Sequence, residues 1–263
     1  MIVEASGVFD YASQPKEGVA VCNLCGDSDS RYIAREDRYG YPARTAKCGR
    51  CGLVFLDPRM TREAYAEFYR SGAYRRLVSA FHGREINAKT IQAEQLAYAQ
   101  QLATFLEPQV SMGGTLLDIG GSTGVVARAL AGRFGLRATV LDPAPDELAE
   151  ASGLRVIQAS IEDYEPKGGE WYDLVTLCQT SDHVLDLRGT LAKVKKLIRP
   201  RGNGDGARFF VDIVDYEQTK SSKIDHPYNL TRATMLSYLC RAGFRLIDEG
   251  RAEDGIHWRF LCA

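Results

Sequence analysis

A glycine-rich stretch near the middle of the chain has the residue types that hold a nucleotide. It reads Leu116-Leu-Asp-Ile-Gly-Gly-Ser-Thr-Gly124 and lies between a predicted strand and a helix predicted to begin at Val125. Glycines let the backbone approach a ligand closely, and a helix N-terminus favours electronegative groups. Asp142 ends the next predicted strand, about twenty residues further on, where a carboxylate can accept both hydroxyls of a ribose. These features predict a nucleotide site rather than a plain strand-to-helix turn.

Nucleotide classes differ in the glycine pattern that they need. Dinucleotide sites favour Gly-x-Gly-x-x-Gly, in which the third glycine packs the helix against the strand. Here the glycines are Gly120, Gly121 and Gly124, and Asp118 precedes the first of them. That acid would repel a pyrophosphate, but it suits the ammonium group of an amino-acid moiety. A dehydrogenase that binds NADH is therefore the weaker alternative.

Four of the seven cysteines have the spacing of metal ligands. They form two Cys-x-x-Cys pairs, at Cys22, Cys25, Cys48 and Cys51. Two such turns present four thiolates that close a tetrahedral zinc site, and a closed site of this kind leaves no position for water. The pattern therefore predicts structural Zn²⁺ rather than a catalytic metal. Free thiols or a redox pair are the alternative interpretation.

Two of the four histidines follow predicted strands at the edge where open α/β sheets bind ligands. His183 comes just after the fourth predicted strand, and His226 lies in the loop after the fifth, next to Asp225. A neutral histidine can take a proton from an acceptor, and a carboxylate can orient such a histidine. His226, Asp225 and His183 are therefore the predicted catalytic residues. A cap or loop role is the alternative for His183, and a surface-loop role for His226; His82 and His257 are predicted to be structural.

Short apolar runs that alternate with amphipathic helical patterns must position these groups. The predicted strands are 115–119, 138–141, 155–159, 172–178, 208–214, 244–248 and 256–262. Alternation of this kind implies βαβ units and a parallel sheet with helices on both faces. The last two strands have no helix between them, so we expect them to pair antiparallel at the edge of the sheet. The predicted fold class is α/β, with a doubly wound, mostly parallel, seven-stranded Rossmann-like sheet.

The chain divides into three predicted parts. A zinc-binding segment spans 1–60, a helical connector or lid spans 61–107, and an α/β domain spans 108–263. Thr61 is a cap-like residue at the start of the connector, and apolar residues recur at helical spacing as far as Phe105. Tyr69 and Tyr74 are candidates to cover a bound ligand, with simple packing as the alternative.

The composition is that of an ordinary soluble globular protein. The chain has 263 residues, 45% hydrophobic and 25% charged, with a formal net charge of -1. A near-neutral chain has no overall charge signature for nucleic acid or for an anionic membrane. We find no apolar run long enough to span a bilayer and no signal peptide at the N-terminus, so the expected location is the cytoplasm.

The glycine-rich stretch resembles the first motif of class I S-adenosylmethionine-dependent methyltransferases, an acid-x-Gly-x-Gly-x-Gly loop in which Ser122 here replaces the middle glycine. The resemblance covers roughly 85–263 and implies S-adenosylmethionine as cofactor, with Asp142 on the ribose and Ala159-Ser-Ile-Glu162 along the adenine. Weaker matches are Trp171 to Gln179 as the fourth strand and Arg199-Pro-Arg-Gly202 as the turn before the fifth. The implied cofactor-binding residues are Asp118, Gly120, Gly121, Ser122, Gly124, Asp142, Pro143, Ser160, Ile161 and Gln179.

A second resemblance concerns the N-terminal part. The run Cys51-Gly-Leu-Val-Phe-Leu-Asp-Pro-Arg59, followed by Phe68-Tyr69 and Tyr74-Arg75, is similar to the zinc-binding segment of bacterial methyltransferases that include nucleotide-sugar C-methyltransferases. The Asp225-His226-Pro-Tyr segment resembles the Glu-His pair that those enzymes use at the acceptor. The resemblance implies methyl transfer to a small molecule, such as a sugar, a sugar-linked intermediate or another natural-product intermediate.

Two other classes of function remain open at this stage. The chain could be a zinc-ribbon binding protein whose nucleotide fold is not catalytic, although an intact set of loop and strand acids argues against that. It could also be a methyltransferase that acts on nucleic acid, which the absence of a basic face with interleaved aromatic residues disfavours. Binding of S-adenosylmethionine without turnover would support the first of these.

Overall fold

The computed structural model describes residues 7–200 and 206–263. Its N-terminal part contains five short strands: β1 (Lys16–Glu17), β2 (Ser30–Ala34), β3 (Thr45–Cys48), β4 (Val54–Leu56) and β5 (Arg59–Met60). Strands β2, β3 and β4 form an antiparallel meander, and β1 pairs with β5. The first six residues, and residues 201–202 of the predicted turn before the fifth strand of the main sheet, lie outside the described ranges.

Three helices follow: α1 (Arg62–Arg70), α2 (Ala73–His82) and α3 (Ala88–Leu106). As the sequence predicts, Thr61 caps α1, and its side chain accepts a hydrogen bond from the backbone N–H of Ala64. This contact satisfies one of the N–H groups that the first helical turn leaves without a partner. Gly72 adopts a left-handed conformation between α1 and α2, which lets the chain turn sharply there. In the described parts of the chain, no helix combines the length and apolar character needed to cross a bilayer.

The remaining elements build the main sheet and its flanking helices. In chain order they are β6 (Thr115–Ile119), α4 (Val125–Phe134), β7 (Arg137–Asp142), α5 (Pro145–Leu148), β8 (Arg155–Gln158), β9 (Leu174–Leu177), α6 (Leu187–Leu197), β10 (Arg208–Val214), α7 (Tyr216–Thr219), β11 (Tyr228–Asn229), α8 (Arg232–Arg241), β12 (Leu246–Arg251) and β13 (His257–Cys262).

The main sheet has seven strands in the order β12-β13-β10-β9-β6-β7-β8. Strands β10, β9, β6, β7 and β8 are parallel, and β13 runs antiparallel to both of its neighbours. The predicted fold class is thus confirmed, including the antiparallel pairing at one edge. The strand order reverses between β6 and β9, and open α/β sheets bind ligands at such a switch point.

Two of the predicted strands differ from the observed ones by two or more residues at an end, and three others, β7, β8 and β13, differ by a single residue at one or both ends. Strand β9 is shorter than 172–178, because Tyr172 makes only an isolated bridge to Ile198. Strand β12 begins later than 244, because the N–H of Phe244 bonds to the carbonyl of Leu239 and so closes the end of α8. At both positions the residue pairs outside the main sheet instead of with a neighbouring strand.

The two faces of the sheet pack against different partners. Leu117 and Val175 belong to one core cluster, whereas the adjacent Leu116 and Leu174 belong to another. Successive side chains of a strand point to opposite faces, which explains this division. The second cluster also contains residues of α3 and α4, and the first contains residues of α6, α8 and the N-terminal segment. Both faces of the sheet are therefore covered.

The N-terminal segment is joined to the α/β part through main-chain pairing. Strand β11 pairs antiparallel with β4, so that Tyr228 lies opposite Phe55. A third core cluster combines N-terminal aromatic residues such as Tyr41 with Phe68 of α1 and with Ile224. The loop that leads into β11, and that carries His226, is therefore held by the N-terminal segment.

Candidate functional site

The glycine-rich turn lies against the tip of β9. A Cβ atom on Gly120 would lie 2.3 Å from Oγ1 of Thr180, and one on Gly121 would lie 2.7 Å from Oδ2 of Asp118. Side chains at either position would therefore clash. Ser122, which replaces the usual middle glycine, adopts a φ of 50°. A non-glycine residue in this conformation is uncommon and is most often found at functional sites.

Asp142 lies at the carboxyl end of β7, as the sequence predicts, and is buried. Its Oδ2 accepts from the N–H of Ser122 at 2.9 Å, and its Oδ1 accepts from the N–H of Ala144 at 2.8 Å. Burial, and next the charge of Glu147, raise the pKa of Asp142 to about 6. Two backbone donors therefore hold the carboxylate in a fixed orientation.

A second carboxylate beside Asp142 was missed by the sequence reasoning. Glu147 accepts from Nη2 of Arg75 at 2.9 Å and also from the hydroxyl of Ser122. Burial would raise the pKa of Glu147, but the hydrogen bond and charge of Arg75 outweigh it and hold the pKa below its usual value. Helix α2 is thereby linked to the glycine-rich turn. The only sequence signal was the Tyr74-Arg75 pair, which carries no information on its distant partner.

Asp118 lies beneath the turn. Its Oδ1 accepts from the hydroxyl of Thr176 at 2.7 Å, whereas its Oδ2 is buried and has no hydrogen-bond partner among the described residues. Burial raises the pKa of Asp118 to about 7. A buried carboxylate oxygen without a partner is costly, so a donor or cation from a ligand would stabilise it.

A cavity of about 400 Å³ opens above the carboxyl ends of β6, β7 and β9. Seven of the predicted cofactor-binding residues line it: Gly120, Ser122, Asp142, Pro143, Ser160, Ile161 and Gln179. The described lining does not include the three others, Asp118, Gly121 and Gly124. The φ of Gln179 is 48°, and its N–H donates to Oδ1 of Asp212 at 2.6 Å, which fixes this left-handed turn.

His183 lines the same cavity, together with Tyr69 and Tyr74 of the connector. Its Nδ1 lies 2.8 Å from the hydroxyl of Tyr69 and 3.1 Å from the carbonyl oxygen of Asp225. Because a carbonyl oxygen can only accept, this contact favours the tautomer with the proton on Nδ1 and the lone pair on Nε2. Burial lowers the pKa of His183 to about 4, so the imidazole is neutral.

His226 and Asp225 lie behind His183 rather than in the described lining. The two histidine rings are 4.6 Å apart between centroids and meet edge to face. The carboxylate nearest to His226 is Asp182, whose Oδ2 lies 3.0 Å from Nδ1, whereas Oδ2 of Asp225 lies 3.3 Å from Nε2. Nζ of Lys223 also lies 3.3 Å from Nε2.

Asp182 was not singled out from the sequence, although it directly precedes His183. Burial alone would raise its pKa, but the charge of His226 outweighs burial and holds the pKa well below the usual range. The same balance holds the pKa of Asp225 below its usual value. The structure thus brings the predicted catalytic residues together, with His183 on the cavity and the others in a buried charged network behind it.

The four cysteines of the N-terminal segment form a cluster. The sulfurs of Cys22 and Cys51 are 3.5 Å apart, and those of Cys25 and Cys48 are 3.6 Å apart. All four lie within 4.8 Å of one another. Tetrahedral zinc with Zn–S bonds of about 2.3 Å requires sulfur separations near these values, so the residues present fit the metal.

Comparisons with known proteins agree with this geometry. The sequence model of a family described as "Methyltransferase domain" matches residues 90–248. A ubiquinone biosynthesis O-methyltransferase of Methylobacterium sp. (strain 4-46) is 36% identical over 110 residues, which cover 37% of this chain and 41% of that protein. The chain spans between 40% and 49% of the length of the curated relatives that it matches.

Solved structures show the same fold at low sequence identity. The 1,6-didemethyltoxoflavin-N1-methyltransferase of Burkholderia thailandensis, solved with S-adenosylhomocysteine, has a TM-score of 0.57 and 19% identity, covering 89% of this chain and 98% of that one. The magnesium protoporphyrin IX methyltransferase of Synechocystis PCC 6803, solved with S-adenosylmethionine, has a TM-score of 0.53 and 15% identity, covering 76% and 94%.

Proposed function

The chain belongs to the methyltransferase-domain family whose model matches residues 90–248, and on that premise we propose that it transfers a methyl group from S-adenosylmethionine to a small-molecule acceptor. The observation that carries the proposal is that one cavity is lined both by a carboxylate held by two backbone donors, Asp142, and by a neutral imidazole, His183. The first is suited to a ribose and the second to an acceptor proton.

The cofactor half of the cavity fits S-adenosylmethionine. The carboxylate of Asp142 would accept the ribose hydroxyls, and the glycine-rich turn, where a Cβ would clash, lets the ligand approach the backbone. The carboxylate of Asp118, buried beneath the turn and outside the described lining, would favour the cationic amino-acid end of the cofactor through its charge rather than by direct contact. Ser160 and Ile161 would line the adenine.

The acceptor half of the cavity would position the methyl-accepting molecule and provide a group that takes its proton. S-adenosylmethionine provides an electrophilic methyl group on a sulfonium. The acceptor would need a lone pair aimed at that methyl carbon, and S-adenosylhomocysteine would be the leaving group as the carbon–sulfur bond breaks. Nε2 of His183 would take the acceptor proton, and Asp182, 4.0 Å from Nε2, would stabilise the imidazolium. His226 and Asp225 would position this network from behind.

Aromatic side chains bound the acceptor space. Tyr65, Tyr69 and Tyr74 all line the cavity, and their rings can pack against a phenolic ring or against the C–H face of a sugar. The curated relatives are named for ubiquinone biosynthesis, which favours a phenolic hydroxyl, whereas the N-terminal resemblance favours a sugar. We therefore propose a small cyclic acceptor with an ionisable hydroxyl or C–H group and test both classes.

We also propose that the four cysteines of the N-terminal segment bind one structural Zn²⁺. The sulfur separations support this, and the four side chains would fill all positions of a tetrahedral ion. The metal would hold the two cysteine turns together, beside the buried apolar residues of the same segment such as Leu24 and Leu53.

Transfer of isotopically labelled methyl from S-adenosylmethionine tests the function. The purified protein is incubated with a panel of catechol-type phenols and a panel of nucleotide sugars, and labelled product is measured. We expect turnover with members of one panel and none with Asp142→Ala at low cofactor concentration. Tight binding of S-adenosylmethionine without turnover on either panel would instead support a non-catalytic binding protein.

A further inference from the structure

One buried carboxylate of the N-terminal segment contacts the loop that carries the histidine network. Asp37 lies between β2 and β3 and is 6% exposed. Its Oδ1 accepts from the N–H groups of Tyr39 and Tyr41, both at 2.9 Å. Its Oδ2 accepts from the N–H of Ile224, also at 2.9 Å, across 187 positions of sequence. The side chain therefore fixes its own turn with one oxygen and a distant loop with the other.

This contact lies one residue from the catalytic network. Ile224 directly precedes Asp225, whose carbonyl oxygen lies 3.1 Å from Nδ1 of His183. A shift of the backbone at Ile224 would therefore move the carbonyl oxygen of Asp225. That oxygen faces Nδ1 of His183 and so sets the tautomer and orientation of the ring. A second hydrogen bond joins the same two segments, because the N–H of Arg38 donates to the carbonyl of Ser222 at 2.9 Å.

We propose that Asp37 is a positioning residue for methyl transfer, which fixes the backbone of residues 222–226 and, through the carbonyl of Asp225, the orientation of His183. The inference rests on the proposed function and extends it. It assigns the N-terminal segment a role in the acceptor half of the site, while the cofactor half is built without it.

The carboxylate is the side chain that this position needs. Three N–H donors converge on Asp37, and an asparagine has only one oxygen to accept them. In Asp37→Asn the amide oxygen is best placed toward Tyr39 and Tyr41, because that orientation keeps two bonds. The amide N–H groups then face the N–H of Ile224, so the hydrogen bond to Ile224 is lost while the local turn and the bond from Arg38 to Ser222 survive.

The test compares Asp37→Asn with Asp57→Asn. Asp57 belongs to the same segment and also accepts two hydrogen bonds, from the N–H of Val19 and the hydroxyl of Tyr32, but these stay within the segment. For Asp37→Asn we expect kcat to fall roughly ten- to hundredfold, since small displacements of a catalytic group have effects of this size. The Kd for S-adenosylmethionine should stay within about twofold of wild type. Asp57→Asn should keep the wild-type kcat.

Nitrogen NMR of the His183 ring gives a readout that does not depend on methyl transfer. In the wild type we expect protonated Nδ1 and unprotonated Nε2, and in Asp37→Asn a mixture of tautomers. An unchanged His183 spectrum together with wild-type kcat would overturn the positioning role. If no acceptor is methylated even by the wild type, the proposed function fails, yet the spectra still decide the role of Asp37.

Hydrogen exchange covers the case in which the variant does not fold. In the wild-type protein the Ile224 amide should exchange as slowly as amides in the centre of the main sheet, because it is buried and bonded to a carboxylate. An Ile224 amide that exchanges as fast as exposed loop amides would contradict the proposal.

Discussion

The two halves of the cavity are built in different ways. Much of the proposed cofactor half comes from one continuous stretch, from β6 through the glycine-rich turn to Asp142, to which Ser160 and Ile161 after β8 are added. The proposed acceptor half is lined by helices α1 and α2 and by the loop after β9, and the loop before β11 supports His183 from behind. The first half therefore depends mainly on local backbone geometry, and the second depends on long-range contacts that include the N-terminal segment.

We therefore expect substitutions in the two halves of the cavity to change different kinetic quantities. Changes in the cofactor half should appear as weaker binding of S-adenosylmethionine, and changes in the acceptor half as slower turnover at normal cofactor affinity. The following changes test that separation, from the largest expected effect to the smallest.

The largest effect should come from the acceptor half. His183→Ala removes the neutral imidazole on the cavity wall, and loss of a general base typically costs 10²–10⁴-fold in turnover. Steady-state kinetics should show a fall in kcat of that order, with calorimetric affinity for S-adenosylmethionine near wild type. His82→Ala, at the exposed end of α2, is the control and should keep wild-type kinetics. An equal loss of cofactor affinity in His183→Ala would break the proposed separation.

The cofactor half should respond in the opposite way. Asp142→Ala removes a carboxylate that we propose binds two ribose hydroxyls, and loss of charge-assisted hydrogen bonds costs about 1.5–3 kcal/mol, or roughly ten- to hundredfold in Kd. Calorimetry should detect this loss, while kcat at saturating cofactor stays within a few-fold of wild type. Asp146→Ala, an exposed acid on α5, serves as the matched control. Unchanged affinity in Asp142→Ala would refute the ribose assignment.

The proposed zinc site would connect the N-terminal segment to the proposed acceptor half. Metal analysis should find about one zinc per chain, and Cys22→Ser should lose it and lower the melting temperature. Because β4 of this segment pairs with β11, we expect kcat to fall about tenfold, with cofactor affinity little changed. Cys240→Ser changes an exposed cysteine on α8 and is the control. It should keep the zinc, the melting temperature and the kcat of the wild type. A metal-free wild-type protein of equal stability would rule out the zinc site.

The last prediction concerns the pH dependence of the affinity for S-adenosylmethionine. Burial raises the pKa of Asp142 to about 6 in the free protein, so the ionised form that accepts ribose hydroxyls is present above that pH and is lost below it. Affinity for S-adenosylmethionine should therefore fall about tenfold between pH 7 and pH 5. Asp142→Asn should bind more weakly at pH 7, and calorimetry should show a shallower profile over this range, because Asp118, with a pKa of about 7, is then the remaining cofactor-side acid that titrates. A wild-type profile equally shallow would contradict ionisation of Asp142 as the cause.

The same contrast explains what could be predicted from the sequence. The strand pattern and the spacing of Gly120 and Asp142 are local features, so the fold class was predictable, and seven of the ten residues proposed from the same local signals line the cavity. The link between Arg75 and Glu147 spans 72 positions, and short-range patterns carry no information about such a pairing. For the same reason the sequence pointed to Asp225 as the partner of His226, whereas Asp182 lies closer to its ring.

The N-terminal segment was predicted only in part. Cysteine spacing indicated a metal site, because ligand chemistry constrains that spacing strongly. The pairing of β11 with β4, and the contact from Asp37 to Ile224, join residues that are far apart in the chain. Both depend on how the folded segment docks, which composition and periodicity do not report.

A crystal structure of the protein with S-adenosylhomocysteine tests the central claim most directly, because it locates both halves of the cavity at once. We predict that the ribose hydroxyls lie within hydrogen-bond distance of the Asp142 carboxylate and that the sulfur faces the space bounded by Tyr69 and His183. A ribose bound away from Asp142, or a sulfur directed away from His183, would contradict the account.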